Sequence, residues 1–283
     1  MTAEQFSRPV AELGEGPLWD DRNQRLLSVD LLRGDVLAFD DDGTEHRTHI
    51  SKVASVIRPR NSGFVVGVER GLQLVDDALQ SVADPVTIFT TEGLRFNDGG
   101  CDPQGRLYIG TMAYDERTGA GTLYRVDTDG TVAPVLEGVT VSNGIQWSAD
   151  GSRVFYNDTP TGRVSVFDFD PRDGSLHDRR DFVTIPDDSG QPDGMAIDSE
   201  DGIWVALWGG SAVHRYDADG RLSEVIELPA SKVTCPTFGG PDRRRLYITT
   251  AAVDVSAEDE PAAGAIFVAE PGVTGALPYA FAG

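Results

Sequence analysis

Four short strings in the chain set an oxygen-bearing side chain beside glycine or proline: LGEGP with Glu15, RFNDGG with Asn97 and Asp98, SNG with Asn143, and PDG with Asp193. Two carboxylates held within a few ångström repel each other unless a proton or a cation lies between them. A carboxylate pair joined by amide oxygens is a hard-oxygen set, suited to Ca2+, Mg2+ or Mn2+. Three protein ligands would leave coordination positions open for water or substrate, as in a catalytic site. Taken singly, each string is an ordinary turn, because Asn, Asp and Gly tolerate positive φ. Asp129-Gly130, Asp150-Gly151, Asp173-Gly174 and Asp219-Gly220 are read that way. What separates the first four strings from these is where they fall in a repeat.

The elements that must position them recur six times. A polar turn, a short apolar strand, a second turn and a strand ending in an acidic residue before Gly make up one unit. Strong copies run over 17–43, 99–130, 145–174 and 195–220, with weaker ones at 57–76 and from 237 onward. A spacing of roughly 40–50 residues is that of propeller blades. Segments such as RLYIGTM, RVFYND and IWVAL are β-branched and aromatic, and no stretch carries a long helical period. The fold expected is all-β, a six-bladed β-propeller with a central metal site, formed by residues 1–283 as one domain. The first strand of each unit should line the channel, and the loops leading into those strands should bring Glu15, Asn97, Asn143 and Asp193 to one small volume. The N-terminal segment, with Phe6–Leu13 as the candidate strand, should join the last blade, closing the ring and removing an exposed edge.

At these residues the sequence resembles the gluconolactonase / senescence marker protein / luciferin-regenerating family of six-bladed propellers. The matching strings are LGEGPLWD at 13–20, RFNDGGCDPQGRLYIGTM at 95–112, SNGIQWSADGSRVFYNDT at 142–159, PDGMAIDSEDGIWVA at 192–206 and TFGGPDRRRLYITTA at 237–251. The resemblance implies one divalent metal in the channel, on ligands matching Glu15, Asn143 and Asp193, with Asp193 also the general base. It implies substrate contacts from Arg95 and Asn97. It also implies one from an acidic residue after GTM, which is Asp115 or Glu116, with Glu116 preferred. Similar family positions bring Asp158 toward the metal or its water. Calcium is the expected ion, with Zn2+, Mn2+, Mg2+ and Fe2+ as alternatives.

The implied activity is opening of a sugar lactone to the aldonic acid. Lactone hydrolysis needs a polarised carbonyl, a deprotonated water and a stabilised oxyanion. A divalent cation supplies the first and third, an aspartate the second, and the planar fork of Arg95 can hold ring hydroxyls. Two alternatives share the scaffold: a phosphotriesterase-type hydrolase, whose pocket should be more apolar, and a non-enzymatic metal-binding propeller. Fold alone does not choose among them.

Composition narrows the partners. Asp and Glu number 46 against 24 Lys and Arg, a net charge of −22, which disfavours nucleic acid and anionic membrane surfaces. A small-molecule substrate is expected instead. His46 and His49 lie in a polar region with no zinc-site context, and no HExxH, GxSxG or Walker-type motif is present. Cys101 and Cys235, the only cysteines, read as buried thiols in a reducing compartment. No basic-then-apolar leader is visible at the N-terminus, and no apolar run of spanning length occurs; a cytoplasmic location is expected. Trp19, Trp147 and Trp204 read as blade packing; for Trp208, beside Gly209-Gly210, packing is the first reading and a wall of the substrate pocket the alternative.

Overall fold

The computed structural model describes residues 1–283. Six four-stranded antiparallel sheets follow one another along the chain, and their first strands pack against one another around a common axis. This is the six-bladed propeller expected from the repeat. The inner strands are Gly14–Asp20, Ala54–Pro59, Leu94–Cys101, Ser142–Trp147, Gln191–Ile197 and Val233–Gly239, which define blades 1 to 6. Helix is confined to three single 3-10 turns. No helix is long and apolar enough to cross a membrane.

Burial falls from axis to rim. Every residue of Gly14–Asp20 is buried, whereas Glu45–His49 at the rim of the same blade is half-buried to exposed. Inner strands are sandwiched by two neighbouring blades and so need apolar side chains on both faces. Outer strands meet water and tolerate charge. Six apolar clusters follow, one in each seam. Val56, Phe96 and Ile109 join blades 2 and 3, and Trp204, Phe238 and Leu246 join blades 5 and 6. Each such side chain removed from water contributes about 1.5–3 kcal/mol. The seam between blades 6 and 1 is closed by Trp19 stacked on Tyr247, with ring centroids 6.0 Å apart.

The N-terminal pairing differs in place from the segment named above. Glu4–Gln5, rather than Phe6–Leu13, forms the outermost strand of blade 6, against Phe267–Ala269. Pro9 lacks an amide hydrogen for a ladder, and the edge is already occupied. Residues after Gln5 instead lie along the seam. Phe6 packs its ring against Phe39 and Tyr247, and the amides of Val10 and Ala11 donate to the Gly264 carbonyl.

One architectural detail places the site. Every inner strand slips register once, between Glu15 and Leu18, Ala54 and Val56, Phe96 and Gly99, Asn143 and Ile145, Pro192 and Met195, and Val233 and Cys235. A bulge re-aims side chains and bends the strand; six at one level build a ring near the N-terminal ends of the inner strands. The other end of the channel is covered by the C-terminal segment. The Ala276 amide donates to the Ile197 carbonyl, and the Phe281 amide to the Pro59 carbonyl. Those carbonyls belong to the last residues of two inner strands.

Candidate metal centre and substrate cavity

The six residues named for metal and substrate, Glu15, Arg95, Asn97, Glu116, Asn143 and Asp193, line one cavity of about 360 Å³. They lie within or just after strands rather than in the loops before them: Glu15, Asn97, Asn143 and Asp193 sit at the bulges of blades 1, 3, 4 and 5. The glycines that made these strings look like turns have another task. Gly144 has φ +25°, and a Cβ there would lie 2.9 Å from both Asn157 Nδ2 and the Asp193 carbonyl. A Cβ on Gly194 would stand 2.4 Å from Cys235 Sγ. Glycine lets adjacent inner strands close up until the side chains beside it share one volume.

Glu15 and Asp193 are both 5 % exposed. Burial, followed by the nearby charge of Asp98, pushes the Glu15 carboxyl up to about 8. Burial, then Glu15 and Asp98, raise Asp193 well above the usual carboxylate range. Three buried carboxylates thus crowd one region, with two guanidiniums facing them. Arg58 reaches from blade 2 to within 3.3 Å of Asp98 Oδ1 and donates from Nε to the Gly99 carbonyl at 2.7 Å. Arg95 approaches from the cavity side.

The hydrogen bonds leave specific oxygens over. Asp193 Oδ1 is buried with no hydrogen-bond partner. Glu15 Oε2 accepts one bond, from the Gly16 amide at 3.1 Å. Asn143 Oδ1 accepts from Asn97 Nδ2 at 3.1 Å, which leaves a second lone pair. A buried, unpartnered carboxylate oxygen is costly unless a ligand satisfies it. Two carboxylates and an amide oxygen, with no sulfur and no imidazole, fit a hard divalent cation.

The cavity wall continues outward through Met112, Tyr114, Glu116, Gln191 and Trp208. Arg95 donates from Nη1 to Asn97 Oδ1 at 2.6 Å and to the Phe96 carbonyl at 3.0 Å. It lies over the Tyr114 ring, 5.9 Å from its centroid. Tyr114 is 45 % exposed, and its hydroxyl donates to Glu69 Oε1 at 2.7 Å, an oxygen also 2.5 Å from Lys52 Nζ. Glu116 lines the cavity from a left-handed position, φ +53°. Asp115 points to Arg117 at 3.1 Å, on the exterior.

One further sequence expectation changes. Asp158 does not line the cavity: its carboxylate accepts from the backbone amides of Thr140 and Val141 at 2.9–3.2 Å. Those buried amides precede the inner strand of blade 4, so Asp158 is committed to holding that turn. Arg95 makes no ion pair with Asp98 or Glu92, since Asp98 is taken by Arg58. Residues absent from the sequence reading include Tyr114, Thr159 and Arg58. Tyr114 carried a signal in its place directly after the GTMA string; Arg58 had none, being in the weakest repeat. His46 and His49 pair with Asp40 and Asp35 at the rim of blade 1, and Cys101 and Cys235 are buried and form no disulfide.

Residues 13–252 match the family described as SMP-30/Gluconolactonase/LRE-like region. The chain is 37 % identical over 286 residues to pentonolactonase XacC of Haloferax volcanii, covering 97 % of this chain and 96 % of that one. It is 34 % identical over 281 residues to regucalcin of Danio rerio, covering 96 % and 95 %. The crystal structure of regucalcin from Agrobacterium tumefaciens strain C58, described as a calcium-binding protein, superposes with a TM-score of 0.91 at 29 % identity, covering 99 % of this chain and 97 % of that one.

Proposed function

The chain belongs to the SMP-30/gluconolactonase/LRE-like family, and from that premise we propose that it is a metal-dependent hydrolase that opens a sugar lactone, an aldono-1,4- or 1,5-lactone, to the aldonic acid. The observation that carries the reading is the buried donor set of Glu15, Asn143 and Asp193, with Asp193 Oδ1 unpartnered, at the floor of a polar cavity. The lactonase name of the Haloferax relative supports the substrate class. The calcium-binding description of the Agrobacterium structure supports an ion at this place, and Ca2+ is the ion we propose.

Glu15, Asn143 and Asp193 would hold the cation, which when bound polarises the lactone carbonyl and stabilises the oxyanion. The chain's own groups do the rest. Asp193 accepts a proton from the attacking water as its oxygen bonds to the carbonyl carbon, and returns it to the ring oxygen as the ester bond breaks. Burial, and then the negative charges of Glu15 and Asp98 close by, favour proton uptake by its carboxylate. Arg95 and Asn97 present donors to ring hydroxyls, Glu116 an acceptor, and Tyr114 and Trp208 supply flat walls against the sugar ring. A polar lining of this kind favours a sugar over a phosphotriester.

The test is a pH-indicator assay of purified protein on a panel of fresh aldonolactones, with and without EDTA, then on a phosphotriester. Acid release above the spontaneous rate, abolished by EDTA and restored by added Ca2+, is the expected result. Turnover of the phosphotriester alone would replace the lactonase reading, and EDTA-resistant lactone turnover would remove the metal from it.

A further inference from the structure

The Asn143 amide can turn either its oxygen or its NH2 group toward the cation, and only the oxygen can bind one. A chain of hydrogen bonds with fixed ends decides which. At one end stands Arg95, whose guanidinium carries donors only; Nη1 donates to Asn97 Oδ1 at 2.6 Å. The NH2 group of Asn97 must then face the other way. It donates to Asn143 Oδ1 at 3.1 Å and to the Ser142 carbonyl at 2.9 Å. At the other end stands the Pro192 carbonyl, which can only accept. It takes the hydroxyl proton of Thr159 at 2.8 Å. Having given away its one proton, Thr159 Oγ1 can only accept from Asn143, whose Nδ2 lies at 2.9 Å. Both ends therefore demand the same orientation. A flipped Asn143 would set NH2 against NH2 at Asn97 and, with the Thr159 proton given to Pro192, oxygen against oxygen at Thr159, which costs two hydrogen bonds at side chains less than one-tenth exposed.

We propose that Thr159 is a positioning residue of the cation site: through Pro192 and Asn143 it locks the amide with Oδ1 toward the ion and ties blade 4 to blade 5 beside Asp193. Thr159 is buried, in the single 3-10 turn that follows Arg153–Asp158. A second bond crosses the same seam, as Asn157 Nδ2 donates to the Asp193 carbonyl at 2.6 Å. One hydroxyl thus sets the orientation of one ligand and the register of the strand bearing another. The inference rests on the reading of Asn143 as a cation ligand.

Calorimetric titration of the metal-free full-length chain with Ca2+, Zn2+ or Mn2+ alone tests it, since affinity is read without turnover. Thr159→Val keeps the shape and removes the hydroxyl; affinity should fall about 10–100-fold, the usual consequence of losing a group that orients a ligand. Thr159→Ser should restore affinity to within about threefold. Valine binding as tightly as threonine overturns the proposal. Absence of binding by the unsubstituted chain overturns the cation-site reading, and the proposal with it, and is thereby a distinct outcome. Should the valine variant not fold, the unsubstituted protein still decides: in nitrogen-15 spectra the Asn143 NH2 protons should exchange slowly with water before metal is added, and rapid exchange would overturn the proposal.

Discussion

Blades 1, 3, 4 and 5 differ from blades 2 and 6 at one level of the ring. All six inner strands carry the same bulge, but the side chains delivered there diverge. Four blades offer Glu15, Asn97, Asn143 and Asp193 to the cavity. Blade 2 offers Ser55, whose hydroxyl donates to the Gly67 carbonyl of its own blade at 3.1 Å. Blade 6 offers Thr234, whose hydroxyl lies 2.6 Å from the Gly14 carbonyl and 2.8 Å from Thr249 Oγ1. The bulge is thus a device of the architecture, used six times, whereas only four of the six side chains placed there turn into the cavity. Ser55 and Thr234 satisfy themselves on backbone; Asp193 does not.

If that division is right, the sharpest break comes at Asp193. Asp193→Ala removes a proposed ligand and the proposed base together. Lactone turnover should fall at least about 10³-fold, the range for loss of general-base catalysis, and calorimetry should show weakened metal binding. Unchanged kcat with saturating metal would remove Asp193 from the mechanism and leave the four polar blades without a chemical distinction. Arg95→Ala should act less strongly and differently. Its guanidinium faces the cavity but holds no cation; without it Asn97 is still oriented by the Ser142 carbonyl, and Thr159 still takes the Asn143 NH2 group. We expect kcat/KM for the lactone to drop about 10²-fold, the loss that follows removal of a charged donor to a substrate hydroxyl, with metal affinity within about threefold. Loss of metal instead would make Arg95 part of the ion's support rather than the substrate's.

The same division governs what is legible in the sequence. The four strong repeats are the four blades whose bulge residue is followed, directly or one position on, by glycine: Glu15-Gly16, Asn97-Asp98-Gly99, Asn143-Gly144 and Asp193-Gly194. One set of residues signalled both the ring and its contents. Blade 2 has Ser55-Val56 at that place and blade 6 has Thr234-Cys235, so both repeats looked weak and Arg58, three residues past Ser55, went unnoticed. The distinction between Asp115 and Glu116 rested on a left-handed residue in a loop, which spacing does not reveal. Asp158 was misread because a buried aspartate that caps two backbone amides and one that meets a metal have the same sequence surroundings. The true N-terminal strand was missed because Glu4–Gln5 is two residues long and offers no period. Covering of the far channel end by residues 275–283 is equally invisible, for that segment has no repeat or period, and its anchor Phe281, buried in the seam of blades 2 and 3, is a lone apolar residue in the sequence.

The gentlest test falls on blade 2. Ser55 is buried, and its hydroxyl serves one carbonyl across its own blade. Ser55→Ala deletes that bond and leaves the Gly67 carbonyl with one acceptor site unfilled, which should lower unfolding free energy by about 1 kcal/mol. In a chain of this size such a loss shifts Tm by about 2–4 °C, measurable by calorimetry on the apo protein. The position stands on the same ring as Glu15 and Asp193 yet sends nothing into the cavity, so kcat and KM for the lactone should stay within about twofold. Activity falling along with stability would mean that the bulge of blade 2 transmits to the site, through Arg58 and Asp98 one strand away. The ring would then have to be treated as six coupled positions rather than four working ones and two structural ones.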